Sequence, residues 1–124
     1  MTRDGCRARI RRWSRLASLP FALAALLVGV GACGTTELHH VVTGSVGPPR
    51  SGNVRFLMGD EPVPPELHEV AVLQVLGTGS NANRQRVLEG LEVDARALGC
   101  TVVAMIQIDR GVSVASGTAV CLRP

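Results

Sequence analysis

Aromatic residues are scarce in this 124-residue sequence, which contains two phenylalanines, one tryptophan and no tyrosine. Positive charge is also scarce from residue 33 onward, where seven arginines and no lysine stand against nine acidic residues. Phe56 is the only aromatic residue in that part of the chain. Nucleic-acid binding relies on basic surfaces and on aromatic side chains that stack on bases. The sequence therefore argues against a nucleic-acid partner.

The sequence also lacks the patterns on which catalysis or tight metal binding commonly depends. Ser80 has no evident histidine partner, the acidic residues are scattered, and no cysteines have the C-x-x-C spacing of a redox motif. His39, His40 and His68 lie in segments that read as a tether and a loop, whereas a tight site needs ligands on rigid elements. We therefore expect no catalytic residues, no metal site and no cofactor.

The first 32 residues have the three-part pattern of an export signal. Six of the first fifteen residues are arginine, and no charged residue occurs between Leu16 and Ala32. The apolar run in this segment is about the length of a signal-peptide core and is short for a membrane span. Residues 1–32 are therefore predicted to be a signal peptide that is removed from the mature protein.

The residues around Cys33 indicate a specific kind of signal. Val30, Gly31, Ala32 and Cys33 resemble the lipobox of bacterial lipoproteins, in which the cysteine receives a diacylglyceryl group and becomes the new N-terminus. The resemblance implies a lipid anchor on Cys33 that is completed by a further acyl chain, of the palmitate type, because stable anchoring takes more than one chain. The alternative is ordinary secretory cleavage beside a cysteine that carries no lipid.

Two regions of different composition follow Cys33. Residues 33–53 are rich in glycine, serine, threonine and proline, and are predicted to form a flexible tether with a short extended piece at 40–43. Residues 54–124 are predicted to form a small α+β domain. Its expected strands are 54–58, 69–76, 101–108 and 112–122, the last with a bulge at Gly117. The apolar and β-branched composition of 69–76 favours a strand that is covered on both faces.

One helix is predicted between the second and third strands. Its apolar residues recur at helical spacing and define one buried stripe: Val87, Leu91, Ala95 and Leu98. Ser80 is the expected N-cap, Gly99 the expected left-handed residue after the helix, and Asp94 is expected on a solvated face. The predicted fold is thus β-β-α-β-β, with the helix packed on a mostly antiparallel sheet.

Cys100 and Cys121 are the cysteines that remain when Cys6 is removed with the signal and Cys33 is lipidated. In an oxidising compartment such a pair is expected to form a disulfide. A two-residue turn at positions 110 and 111 would place opposite each other the residues whose numbers sum to 221, and these two cysteines have that sum. The alternative is a pair of buried free thiols.

The loop before the predicted helix resembles a ligand-binding motif. Residues 77–82 read G-x-G-x-x-A after a strand, which is the outline of a dinucleotide-binding unit. The chain has room for only one such unit, so a glycine turn followed by an N-cap is the favoured interpretation. Gly77, Gly79, Ser80 and Asn81 are retained as a candidate ligand loop.

Two stretches are similar to a known family of small domains. EVAVLQVLGTG before the helix, and ARALGCTVVAMIQID followed by SGTAVCL, resemble the small α+β domain of YbjQ-type proteins and of RcsF-type lipoproteins over residues 66–123. The resemblance implies a non-enzymatic sensor or accessory module that contacts another envelope protein. Gly34 stands where an aspartate favours inner-membrane retention, which by analogy favours the outer membrane. The alternative function is a small-ligand or metal-binding periplasmic module.

Overall fold

The computed structural model describes residues 33–124, so the predicted signal peptide at 1–32 lies outside the described residues. The elements from Gly34 to Pro124 belong to one compact unit. Its strands and single α-helix are, in chain order, β1 (Thr35–Val42), β2 (Arg55–Phe56), β3 (His68–Thr78), α1 (Arg84–Ala97), β4 (Val102–Arg110) and β5 (Val114–Arg123). This arrangement confirms the predicted α+β class. No helix between residues 33 and 124 is long and apolar enough to cross a membrane.

The five strands form one sheet in the order β1-β3-β5-β4-β2. All neighbouring strands are antiparallel except β2 and β4, which are parallel. β3, at the middle of the β1-β3-β5 half, is the longest strand with eleven residues. The helix connects β3 to β4 and covers one face of the sheet, as expected for a mostly antiparallel sheet with a single helix.

β1 is longer than the short extended piece predicted at 40–43, and the rest of it lies in the segment assigned to a flexible tether. It pairs with β3 along its whole length, from Thr35 opposite Thr78 to Val42 opposite Ala71. Every residue of β1 is exposed, so the strand lacks the alternation of buried and exposed positions by which a half-buried strand is recognised. The folded unit therefore begins one residue after Cys33, and not at residue 54.

The core lies between α1 and one face of the sheet. Val87, Leu91 and Ala95 are completely buried, which confirms the predicted helical stripe. Two glycines allow the close approach of helix and sheet. A Cβ atom on Gly117 in β5 would lie 2.3 Å from Cγ1 of Val87, and one on Gly90 in α1 would lie 2.8 Å from a methyl group of Val75.

The helix begins later than predicted and ends as predicted. Its N-cap is Asn83, whose side chain accepts a hydrogen bond from the Arg86 N–H at 3.0 Å, so the assignment of Ser80 was wrong. Ser80 belongs instead to a single 3-10 turn, Gly79–Asn81. At the other end Gly99 has a φ of +77°, and its N–H donates to the Arg96 carbonyl in the usual glycine-terminated arrangement.

The second face of the sheet is largely open. Buried and exposed residues alternate along β3 from Ala71 to Val75, so the prediction that this strand is covered on both faces was wrong. Val72 is 39% exposed although it lies in the second strand from the edge. A small cluster that contains Leu57, Val102 and Leu122 covers this face at one end only.

β4 and β5 form the C-terminal hairpin in a register that differs from the prediction. Residues 111–113 connect the strands, and the Gly111 N–H donates to the Val114 carbonyl at 2.7 Å. The pairing is then shifted between Ala104 and residue 107, where Met105 has a φ of +53°. The irregularity therefore lies in β4 and not at Gly117, where a bulge was predicted.

The disulfide between Cys100 and Cys121 is confirmed, although the register that suggested it is not. Val103, and not Cys100, lies opposite Cys121 in the hairpin. Cys100 instead follows the helix, where its N–H donates to the Ala95 carbonyl at 2.9 Å, and its Cα lies 5.8 Å from that of Cys121. Both cysteines are fully buried. The bond thus joins the C-terminal end of α1 to β5.

Candidate functional site

The candidate ligand loop binds the chain's own N-terminal strand. The Gly34 N–H donates to the Ser80 hydroxyl oxygen at 3.0 Å, and the Asn81 side-chain amide donates to the Thr36 hydroxyl oxygen at 3.1 Å. These hydrogen bonds connect the 3-10 turn to the residues that immediately follow Cys33. Ser80 as an acceptor and Asn81 as a donor therefore each already have a partner within the fold.

The two strands beside this loop are also linked through their threonines. The hydroxyl oxygens of Thr35 and Thr78 lie 2.6 Å apart, and the Thr35 N–H donates to the Thr78 hydroxyl oxygen at 3.3 Å. A Cβ atom on Gly34 would lie 2.4 Å from the Asn81 nitrogen, so the chain enters the domain through a space that admits only glycine. The entry segment is held firmly against the loop.

The glycines of the loop have structural roles that account for their presence. Gly79 has a φ of +59°, in the left-handed region that favours glycine. A Cβ atom on Gly77 would lie 2.2 Å from the carbonyl oxygen of Asn81. Both glycines are thus required by the turn itself, which is the interpretation that the sequence favoured over a phosphate cradle.

The three histidines do not converge on one point. His39 lies 3.5 Å from Glu37 within β1, His40 contacts Asp94 of the helix, and His68 lies at the other end of β3, opposite Arg123. Within residues 33–124, no group of three or more histidine, cysteine or acidic side chains is arranged to hold a metal ion.

Asp94 is the one charged residue that is buried among residues 33–124. Its carboxylate oxygens lie 3.0 and 3.2 Å from Nδ1 of His40, whose side chain is 39% exposed. The expectation that Asp94 lies on a solvated face was therefore wrong. The sequence did not reveal the burial of Asp94 because β1, the strand that covers it, was assigned to a tether.

Burial raises the pKa of Asp94 above its ordinary value of 3.8, since desolvation disfavours the carboxylate. The positive charge and hydrogen bond of His40, and the charge of His39, act in the opposite direction but do not outweigh the desolvation. A buried carboxylate with a histidine partner is a common element of catalytic sites, but structural pairs have the same property. Here the pair connects α1 to β1.

The open face of the sheet carries a row of three valines on neighbouring strands. Val41, Val72 and Val120 are direct neighbours across β1, β3 and β5. Val41 is 67% exposed, whereas Val120 is partly buried against the cluster that contains Leu57. We call these three residues the valine row. His39, Gln74 and Thr118 form a parallel polar row beside it.

Cys33 is exposed and disulfide-bonded in the full chain. It directly precedes the entry segment Gly34, so whatever is attached to Cys33 is attached one residue from the folded unit.

No protein-family model, no curated protein and no solved structure matches this chain.

Proposed function

We propose that this protein is an exported bacterial lipoprotein, anchored to the outer membrane through a diacylglyceryl group on Cys33. Its α+β domain would act there as a non-enzymatic sensor or accessory module that contacts another envelope protein. The pattern of residues 1–33 and the similarity of residues 66–123 to RcsF-type and YbjQ-type domains suggest this function.

The disulfide is the single observation that carries the proposal. Cys100 and Cys121 are bonded and fully buried. Structural disulfides persist mainly outside the cytoplasm, in compartments such as the bacterial periplasm. An export signal and a structural disulfide are independent features, and both agree with an extracytoplasmic location.

The valine row supports an interaction role over catalysis. Contiguous apolar surface on a folded domain is a feature of protein-interaction sites. The candidate ligand loop, in contrast, has its side chains hydrogen-bonded to the entry segment. The alternative of a small-ligand or metal-binding module therefore has less support than a surface that binds a protein.

Lipid attachment requires Cys33 as a thiol, and this residue is disulfide-bonded in the full chain. The cytosol keeps the thiols of a newly made precursor reduced. The proposal therefore includes acylation of the reduced precursor, followed by removal of residues 1–32.

Intact-mass analysis of the protein extracted from its native membranes tests the anchor. The expected product begins at Cys33 and carries acyl chains, and Cys33→Ser is expected to abolish both lipid attachment and cleavage. A wild-type product that carries no lipid would contradict the anchor and would favour ordinary secretion.

Cross-linking in intact cells tests the interaction role. Val72→Arg places a charge in the valine row, whereas Val93→Arg places the same charge on an exposed position of α1. We expect a cross-linked envelope partner to be lost with Val72→Arg and retained with Val93→Arg. Equal cross-linking of both variants would show that the valine row is not the contact surface.

A further inference from the structure

Only one residue, Gly34, separates Cys33 from the first strand of the domain. Gly34 is hydrogen-bonded to Ser80, and β1 begins at Thr35. One residue of extended chain spans at most about 3.6 Å. A membrane anchor on Cys33 would therefore hold this end of the domain against the bilayer, where a flexible tether of twenty residues would have let it move away.

The turn between β4 and β5 lies at the same end. The Gly79 N–H donates to the Ser113 carbonyl at 3.0 Å, and Val114 lies opposite Thr78 in the sheet. The tip of this turn is Val112, which is fully exposed and is the most exposed large apolar side chain in the described part of the chain.

Two arginines accompany Val112 at this end. Arg110 precedes the turn, and Arg84 begins the helix just after the candidate ligand loop. Both are exposed, and within residues 33–124 neither forms an ion pair, unlike Arg55, Arg86 and Arg96. Guanidinium groups bind phosphate oxygens in bidentate geometry, and lipid headgroups present such oxygens.

We propose that this end of the domain rests on the lipid bilayer, with Val112 at the boundary between headgroups and acyl chains and with Arg84 and Arg110 at lipid phosphates. The proposal rests on the lipid anchor proposed for Cys33. Because the anchor makes the contact intramolecular, one apolar side chain and two cations suffice where free association would be too weak. In this orientation β1 runs from Thr35 near the membrane to Val42 at its far end, so the valine row lies toward the end of the sheet that is farther from the bilayer.

A single tryptophan at the turn tests this contact. Residues 33–124 contain no tryptophan, so Val112→Trp would supply the only indole of the mature protein. The matched control is Val46→Trp, since Val46 is also exposed but lies at the opposite end of the helix. Its neighbour Gly47 donates its N–H to the Leu98 carbonyl oxygen there. The lipidated protein is placed in vesicles of phosphatidylethanolamine and phosphatidylglycerol with brominated acyl chains.

In these vesicles the Val112→Trp protein is expected to lose most of its emission and to shift to shorter wavelength, whereas the Val46→Trp protein keeps its emission. Adding Arg110→Gln to Val112→Trp should weaken the quenching. Equal quenching of the two tryptophan variants, or none in either, would overturn the contact. A blue shift of the Val112→Trp protein that is not accompanied by quenching from the brominated chains would indicate a protein contact instead and would also overturn it.

The mass of the same samples separates this inference from the anchor. If Cys33 carries lipid and the tryptophan at 112 is not quenched, the bilayer contact is wrong and the anchor stands. If Cys33 carries no lipid, the anchor is wrong and the bilayer contact is wrong with it.

Discussion

The imidazole Nδ1 of His40 lies 3.0 Å from the Asp94 carboxylate, and this contact joins the edge strand β1 to the C-terminal half of α1. Asp94 is 5% exposed, and β1 is the strand that covers it. The segment that reads as a linker in the sequence is thus part of the folded unit, fixed both by its ladder with β3 and by this pair.

The pair makes stability depend on pH in a defined direction. Because burial raises the pKa of Asp94 above 3.8, the folded state binds the proton more tightly than the unfolded state does. The contribution of this group to the free energy of unfolding is therefore largest below pH 3.8 and declines as the pH rises through the raised pKa. Asp94→Asn should remove this decline, as measured by urea denaturation across that range.

At neutral pH the Asp94→Asn protein is expected to be at least as stable as the wild type, because the amide keeps an acceptor for His40 without a buried charge. Val93→Ala, a change to an exposed and uncharged residue of the same helix, serves as the control and should leave the pH dependence of the wild type in place. If Asp94→Asn is much less stable than the wild type at neutral pH but not at acidic pH, the attraction of the Asp94 carboxylate to His40 outweighs the cost of its desolvation.

The close packing of helix and sheet predicts a steric effect at Gly117. Its Cβ would lie 2.3 Å from Val87, so Gly117→Ala should lower the free energy of unfolding by about 1–3 kcal/mol. Gly52→Ala is the matched control, since its nearest neighbour would lie at an ordinary 3.8 Å. Combining Gly117→Ala with Val87→Ala should cost less than the sum of the two single changes, and strict additivity would contradict direct contact.

The candidate ligand loop predicts a stability change without ligand dependence. Gly79→Ala should cost about 1 kcal/mol because of the left-handed backbone at this position. Thermal unfolding is expected to be unchanged by nucleotides, inorganic phosphate or zinc. A ligand present at 100-fold excess over its Kd would add about 2.7 kcal/mol. A saturable rise in Tm with nucleotide or phosphate would therefore assign a binding function to the candidate ligand loop, and one with zinc would assign it to His39, His40 and His68.

The disulfide predicts a specific labelling pattern. Alkylation in denaturant without a reductant should leave Cys100 and Cys121 unmodified, whereas prior reduction should expose both. Reduction should also lower the free energy of unfolding by about 3 kcal/mol for this 21-residue separation in the loop-entropy model. A double variant with alanine at both positions provides the control, because reductant should not change its stability.

The sequence alone determined those features that depend on neighbouring residues. The helical stripe of Val87, Leu91 and Ala95 and the end of the helix at Gly99 follow from spacing and from glycine's access to the left-handed region. The cysteine pair was found by elimination among four cysteines. Its bond is correct although the pairing register used to support it was not.

Tertiary structure decided the features that depend on residues far apart in the chain. β1 is a strand because its backbone pairs with the edge of β3 from Thr78 to Ala71. Every residue of β1 is exposed, so no local hydrophobic pattern predicts this pairing. The bulge at Met105 shifts the hairpin register, which only the pairing of whole strands reveals. Asp94 is buried because β1 lies over it, so its raised pKa, like the engagement of Ser80 and Asn81 with the entry segment, became visible only in the assembled sheet.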